Sequence, residues 1–551
     1  MNFGDGGHAA APPYPFSSFR RKPESSAFEL KIRARNWIPA FAGMTSIFAL
    51  LLIVAVNAAA ATPPRTLDKF ESLTPWTAQH TDDVTATLSS VDGKAGKALQ
   101  LQFDFTDKHG NPINGYATAR RELPLQLPDN YELSFWIRGE APVNTLQFKL
   151  VDTSGENVWW LNRPDFTFPH EWQQIRIKKR QIEFAWGPTK DRTLRQSAAI
   201  EFVVSSGRDG GKGSVEIDEL TIRELPPKKG AYPAPFASAS SSLGPPAQNA
   251  LDASTNDIWC SAPGKGAEQT FDVDFREPRE FGGLVLDWQD GTAPKSYDVQ
   301  FSDDRRSWRT VRGVRDGDGS RDPLDLPESE TRYLRIAMHA ARADRYCLLH
   351  LEVKDLAWGA TPNAFFQALA KDAPRGTYPR GFSEQPYWTV VGIDGGPTPA
   401  LISEDGALQP GKAGFSIEPL LMVDGKLATW ADVQPRQSLR DGYLPIPEVE
   451  WKSGKVTLTV EAFAAGTRER SQLAARYRLR NDGDAAQALD LALAIRPFQV
   501  NPPAQFLNTA GGVAPIHDLA RDGSSVLVDG KPGVVALRKP DRFLATTFDA
   551  G

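Results

Sequence analysis

The feature that most constrains this chain is a two-residue alternation of apolar and polar side chains, recurring over much of its length. Leu99-Gln100-Leu101-Gln102-Phe103-Asp104-Phe105 is its cleanest run. Glu132-Leu133-Ser134-Phe135-Trp136-Ile137-Arg138, with one slip, Leu146-Gln147-Phe148-Lys149-Leu150, Gln174-Ile175-Arg176-Ile177-Lys178 and Ser214–Ile222 repeat it. In an extended strand successive side chains point to opposite faces, so each run carries one apolar and one wet face. Many short runs of this kind, separated by turn residues, predict antiparallel sandwiches. The expected fold class is therefore all-β, a tandem of antiparallel β-sandwiches.

The chain has 551 residues, a length that suggests about three or four domains. Its formal net charge of -5 is spread over that length and argues against a nucleic-acid partner, which would call for a concentrated basic face. The 14 Trp are numerous. In a β-rich chain they suit either sandwich cores or flat platforms on which sugar rings stack. Two cysteines, Cys260 and Cys347, exclude a dense disulfide framework and a cysteine-rich zinc site. They form one bridge if the chain is exported, or stay as two buried thiols.

The N-terminal stretch carries ten consecutive apolar residues, Ile47–Val56, followed by Asn57 and the small-residue patch Ala58–Ala61. A short apolar run before small residues reads as a signal peptide, here residues 44–61, and is too short to span a bilayer. No second such segment follows, so no transmembrane span is expected in the mature chain. Phe19–Ser25 and Trp37–Thr45 resemble translated bacterial intergenic repeat DNA, and residues 1–43 are read as a mis-assigned leader with the true start at or near Met44. The expected location is periplasmic or secreted, in a bacterium.

Residues 237–358 hold a series of short runs in a telling order. They are Ala250-Leu251-Asp252-Ala253-Ser254-Thr255-Asn256-Asp257-Ile258-Trp259, then Gln269–Phe275, then Tyr297–Asp304 followed by Trp308, then Arg332–Ile336, and last Leu349–Val353. This order resembles the discoidin, or coagulation factor V/VIII C-type, domain. The resemblance implies an eight-stranded jelly roll that binds ligands at loops on one end. In bacteria such domains usually bind carbohydrate. Trp288 and Trp308 are candidate contacts, each weighed against simple packing. Relatives often hold a structural calcium near the turn before the Trp, which makes Asp252 and Asp257 candidate ligands. His350 stands where the family places a Glu, and both aspartates also suit capping their own turn.

Residues 65–225 resemble a galactose-binding-like jelly roll, through the strand centred on Trp172, the Ile217-Asp218-Glu219-Leu220 ending and the strand spacing. Between its strands lie Val158-Trp159-Trp160-Leu161-Asn162-Arg163 and Glu183-Phe184-Ala185-Trp186-Gly187. Trp159, Trp160, Arg163 and Trp186 are candidate sugar contacts. Neighbouring strand residues face opposite ways, so at most one of Trp159 and Trp160 lies in the core. Gly207–Ser214 lacks the Ser or Thr of a phosphate loop and is expected to be a hairpin turn. Asp316–Asp322 departs from a calcium loop at Arg321 and Pro327 and is expected to be a solvated hairpin loop.

A Pro-rich joint at 226–236 separates these two stretches. Beyond a short helix expected over Ala360–Asp372, residues 385–551 return to strands. The run Arg478-Leu479-Arg480-Asn481 and the later Ala494–Val500 resemble the supersandwich that precedes an (α/α)6 catalytic barrel in glycosidases and glycoside phosphorylases. That resemblance implies a larger, truncated β domain with a catalytic domain downstream.

No catalytic signature is present. Gly414-Phe415-Ser416-Ile417-Glu418 lacks the second Gly of a nucleophile elbow, and the seven His form no metalloprotease pattern. The leading expectation is an exported protein binding polysaccharide or oligosaccharide, the non-catalytic front of a polysaccharide-active hydrolase or phosphorylase. A β-sandwich glycan hydrolase or lyase using the third segment, and a cell-surface adhesin, are the alternatives. No cofactor is expected apart from the candidate structural calcium.

Overall fold

The computed structural model describes residues 63–546, except 208, 228, 229, 469, 506 and 508. The leader and signal-peptide readings lie outside the described residues. Among them the structure is almost entirely β, in antiparallel sheets.

The first sandwich has two layers. One follows the order Thr85–Asp92, Lys97–Phe105, Gly211–Glu224, Tyr131–Glu140, Gln173–Lys178, with Arg65–Asp68 also beside Gly211–Glu224. The other runs Glu183–Trp186, Val158–Phe166, Asn144–Val151, Gln196–Ser205, Tyr116–Gln126, Trp76–His80. The alternation places Leu99, Leu101, Phe103 and Phe105 of one layer against Leu146, Phe148 and Leu150 of the other in one core. Phe135, Phe148 and Phe202 meet there with ring centroids 4.9 to 5.9 Å apart. Each fully buried ring contributes roughly 1.5–3 kcal/mol. The Gly207–Ser214 run is not a hairpin turn. Gln196–Ser205 and Gly211–Glu224 belong to different layers, so the chain crosses from one to the other there. Local turn chemistry allows both outcomes, and only the partners of the flanking strands decide between them.

In the second sandwich, two 20-residue strands, Gln269–Trp288 and Arg321–Ala340, pair along most of their length. Their register shifts between Asp274 and Arg279 and again between Phe281 and Gly283. These irregularities bend the strands, so Phe271 and Val273 at one end and Leu284 and Leu286 at the other face the same core. Cys260 and Cys347 stand opposite one another in register, and their sulfurs are bonded.

The Asp316–Asp322 run is not a hairpin loop either. The strands flanking it, Arg309–Val314 and Arg321–Ala340, both pair with Ser296–Ser302 and not with each other. Its last residue is far from solvated: Asp322 is 2% exposed. It accepts hydrogen bonds from the Tyr297 hydroxyl at 2.6 Å and the Trp288 indole N–H at 2.9 Å. Two buried donors need an acceptor in the core, and this carboxylate supplies it.

The third segment opens with the helix Pro362–Asp372, capped by the Thr361 hydroxyl, which accepts from the Ala364 N–H at 3.1 Å. Phe365 and Phe366 pack on Phe382 and Phe498. Beyond it, Ser416–Val423 lies beside Leu489–Arg496 in one sheet, and Arg436–Leu439, Pro447–Ser453, Val456–Gly466 and Ser471–Asn481 form a second. Their inner faces share Leu421, Trp451, Leu458 and Val460.

Charged side chains tie the first two sandwiches together. Glu280 accepts from Lys178 at 2.8 Å and from the Arg180 guanidinium at 3.1 and 2.8 Å, and Lys178 also pairs with Glu330 at 2.8 Å. Glu328 accepts from Arg163 and Gln181, each at 2.7 Å. Burial works against ionisation of Glu280, yet the hydrogen bonds from Arg180 and Lys178 outweigh it and hold the carboxyl below its ordinary value. Glu280→Ala is expected to remove about 1–2 kcal/mol of coupling, between the values of exposed and buried pairs. Calorimetry then resolves separate unfolding transitions for the two sandwiches. A single unchanged transition would show that this seam holds nothing.

Candidate functional site

The outward face of the layer from Glu183–Trp186 to Trp76–His80 gathers an unusual set of side chains. Across it, strand by strand, runs the rank Glu183, Trp160, Lys149, Glu201, Arg120, Thr77. The neighbouring rank is Asn162, Gln147, Val203, Thr118, Gln79. On an open sheet such residues face water. Here Gln147, Lys149, Thr118 and Val203 are as buried as the core.

Two aromatic rings flank Lys149, and a backbone irregularity places one of them. In Glu183–Trp186, Phe184 pairs with Trp159 and faces the core, so strict alternation would send Trp186 inward as well. The register shifts between Phe184 and Trp186, and Trp186 instead stands opposite Val158 on the outward side. Gly187 follows with φ +135°, and a Cβ there would meet the Asn157 Cα at 2.7 Å. Trp186 is left 46% exposed, edge-on to Trp160 with ring centroids 5.4 Å apart. At the start of Tyr116–Gln126, Tyr116 is 40% exposed. The Lys149 ammonium lies 5.1 Å from the Trp186 ring centroid and 5.6 Å from that of Tyr116. Both distances fall within cation–π range. Beside them, Arg120 donates to Glu201 at 2.6 Å and to Glu122 at 2.9 and 2.7 Å.

The four candidates from this sandwich separate accordingly. Trp160 and Trp186 share the outward face. Trp159 is core, 5% exposed, edge-on to Phe184, with its indole N–H on the Arg192 carbonyl at 2.7 Å. Arg163 is held by Glu328 of the second sandwich. Sequence reasoning missed Tyr116 and Lys149. The alternation through Leu146–Leu150 does place Lys149 outward, but nothing local signals the two rings beside it.

In the second sandwich, Trp288 is buried on Asp322, and Trp308 lies under the Arg335 guanidinium, 3.9 Å from its ring centroid. Arg335 is itself held by Asp272 at 2.7 and 2.9 Å. Asp252 accepts from the Ser254 hydroxyl at 2.6 Å and its N–H at 2.9 Å, which hold its carboxyl below the ordinary value. The Asp257 N–H donates to the Thr255 hydroxyl at 3.0 Å. Among the described residues no three His, Cys, Asp or Glu side chains are grouped to hold a metal ion.

In the third segment Asp405 and Glu418 line one recess of about 40 Å³. Arg380 grips Asp405 at 2.8 and 2.7 Å, while Glu418 accepts from Arg496 at 3.0 Å and from the Ser416 hydroxyl at 2.6 Å. Both carboxylates are thus engaged by arginines, in a space far smaller than a ligand pocket of roughly 300 Å³ or more.

Fold and site together define a tandem of antiparallel β-sandwiches with an aromatic face on the first. Residues 236–352 match the F5/8 type C domain family, the discoidin resemblance read from the same stretch. Among solved structures, a family 11 carbohydrate-binding module from Clostridium thermocellum, in complex with a β-1,3-1,4-mixed-linked tetrasaccharide, is similar at 19% identity. It covers 30% of this chain and 96% of that one, with a TM-score of 0.25. Chitosan-binding module 1 of a chitosanase/glucanase from Paenibacillus sp. IK-5 is similar at 28% identity over 21% of this chain and 92% of that one, TM-score 0.20. Module 2 of that enzyme, in complex with chitotriose, stands at 23% identity over 22% and 95%, TM-score 0.20. No curated protein sequence matches the chain.

Proposed function

We propose that this chain binds carbohydrate and that the outward aromatic face of the first sandwich is its main site. The observation that carries this reading is the pair of half-exposed rings, Tyr116 and Trp186, on one sheet face with Trp160 beside them. The C–H side of a pyranose is apolar and stacks on such rings, while Glu183, Asn162 and Arg120 stand within the same ranks to take up hydroxyls. The rank crosses six strands, about 24 Å at ~4.8 Å spacing, which favours an oligosaccharide over one sugar. The F5/8 type C domain adds a second module, so two weak contacts on one glycan would reinforce each other.

The third segment, in which Asp405 and Glu418 are each held by an arginine, is read as part of a binding front for a polysaccharide-active enzyme. The bonded Cys260 and Cys347 support an exported, oxidising setting. A glycan array of the full chain is expected to identify bound oligosaccharides. Trp186→Ala is then expected to weaken them roughly tenfold, about 1.4 kcal/mol for one stacked ring. A chain that ignores every glycan, or binds equally well without the Trp186 ring, would sink the proposal.

A further inference from the structure

The glycan face carries one side chain that stacking on neutral sugar leaves without a role. Lys149 is 8% exposed, and among the described residues its ammonium makes no hydrogen bond and no ion pair. Its cross-strand neighbour Glu201 is already taken by Arg120. Its nitrogen is not one of the fully enclosed unpartnered atoms, so the stem is buried while the tip opens to solvent. That tip lies between the two half-exposed rings.

Burying a lysine stem is ordinary, because four methylenes cover apolar surface while the ammonium reaches water or a carboxylate. Here the tip faces ring faces, which attract a cation but give it no hydrogen-bond acceptor. Three N–H donors therefore stay free at the place where a stacked sugar would sit.

We infer that Lys149 reads a negative charge on the sugar, so that the first sandwich takes a uronic acid-containing glycan with the carboxylate on the Lys149 ammonium and the ring against Tyr116 or Trp186. This rests on the carbohydrate reading of the same face. Burial lowers the pKa of the Lys149 ammonium and the Glu201 carboxylate partly restores it, a cost that a bound anion relieves. Glu122 and Glu201 are both hydrogen-bonded to Arg120, and Glu183 lies beyond Trp160, so among the described residues no carboxylate of these ranks is hydrogen-bonded to the Lys149 ammonium.

The test measures affinity of the full chain by calorimetry for oligogalacturonate, cellouronate and alginate oligomers, each against its own methyl ester. Esterification removes the charge and keeps the ring. At least one free acid is expected to bind roughly ten- to a hundredfold tighter than its ester, with the difference shrinking in high salt. Lys149→Met, which keeps the apolar stem, is expected to erase that difference and leave the near-ultraviolet circular dichroism unchanged. If esters and neutral glucans bind as tightly as the acids, and Lys149→Met changes nothing, the charge inference is overturned while carbohydrate binding stands. If no saccharide binds, charged or neutral, the reading beneath it falls too.

Discussion

Cys260→Ala with Cys347→Ala is expected to lower the stability of the second sandwich by roughly 4–5 kcal/mol, the value chain entropy gives for a long closed loop. The two residues are 87 positions apart, and four of that sandwich's seven strands, both 20-residue ones among them, lie between them. Joining them removes most extended states of the unfolded chain, while the folded chain already holds both residues opposite one another in paired strands. Trp259, beside Cys260, is fully buried, so the link also anchors a ring at the core's edge. Urea titration of the oxidised protein, the reduced protein and the double variant is the measurement, with hydrogen exchange locating the loss. Reduced and variant chains should behave alike and lose protection in Gln269–Trp288 and Arg321–Ala340. Asn144–Val151, in the first sandwich, should keep it. Identical midpoints with and without reductant would refute the account.

What was legible in the sequence follows from how local each cause is. Alternation is a property of neighbouring residues, so it placed Leu99, Leu101, Phe103 and Phe105 on one face and restricted Trp159 and Trp160 to opposite ones. Helical spacing of apolar residues is equally local, and the helix expected over Ala360–Asp372 from Phe365, Phe366, Leu369 and Ala370 appears as Pro362–Asp372. The match of residues 236–352 to the F5/8 type C family rests on runs quoted from the sequence alone. Crossings between layers were not legible: Gly207–Ser214 and Asp316–Asp322 both carry hairpin-like residues, yet join strands that never pair. Nor was depth on the outward face. Lys149 sits in an ordinary alternating run, and its burial comes from Tyr116 and Trp186, which are 33 and 37 positions away by their own numbers. Trp186 itself reaches that face only because one extra residue breaks the alternation that the reading relied on.

Asp322→Ala is expected to cost about 2–5 kcal/mol, because it strands two buried donors at once. The Tyr297 hydroxyl and the Trp288 indole N–H both rely on one carboxylate oxygen, and neither ring reaches solvent. The second oxygen has no hydrogen-bond partner, so the carboxylate is poorly compensated when ionised. Burial accordingly pushes the Asp322 carboxyl up, against the pull of the Tyr297 and Trp288 hydrogen bonds. A carboxyl raised in the native state keeps its proton to higher pH than it does in the unfolded chain. Its contribution is complete below the unfolded value of about 3.9 and declines as pH rises through the native one. Asp322→Asn keeps an acceptor for the two donors and removes the titration. Relative to the parent, the asparagine variant should therefore gain stability as pH rises across the acid range, while carboxylates common to both proteins cancel. Denaturant titrations of the two proteins at several pH values between roughly 3 and 7 measure that difference directly. A difference that runs the opposite way would mean the carboxylate is better solvated than its enclosure between Trp288 and Tyr297 implies. An alanine variant as stable as the parent would mean the two donors find other partners.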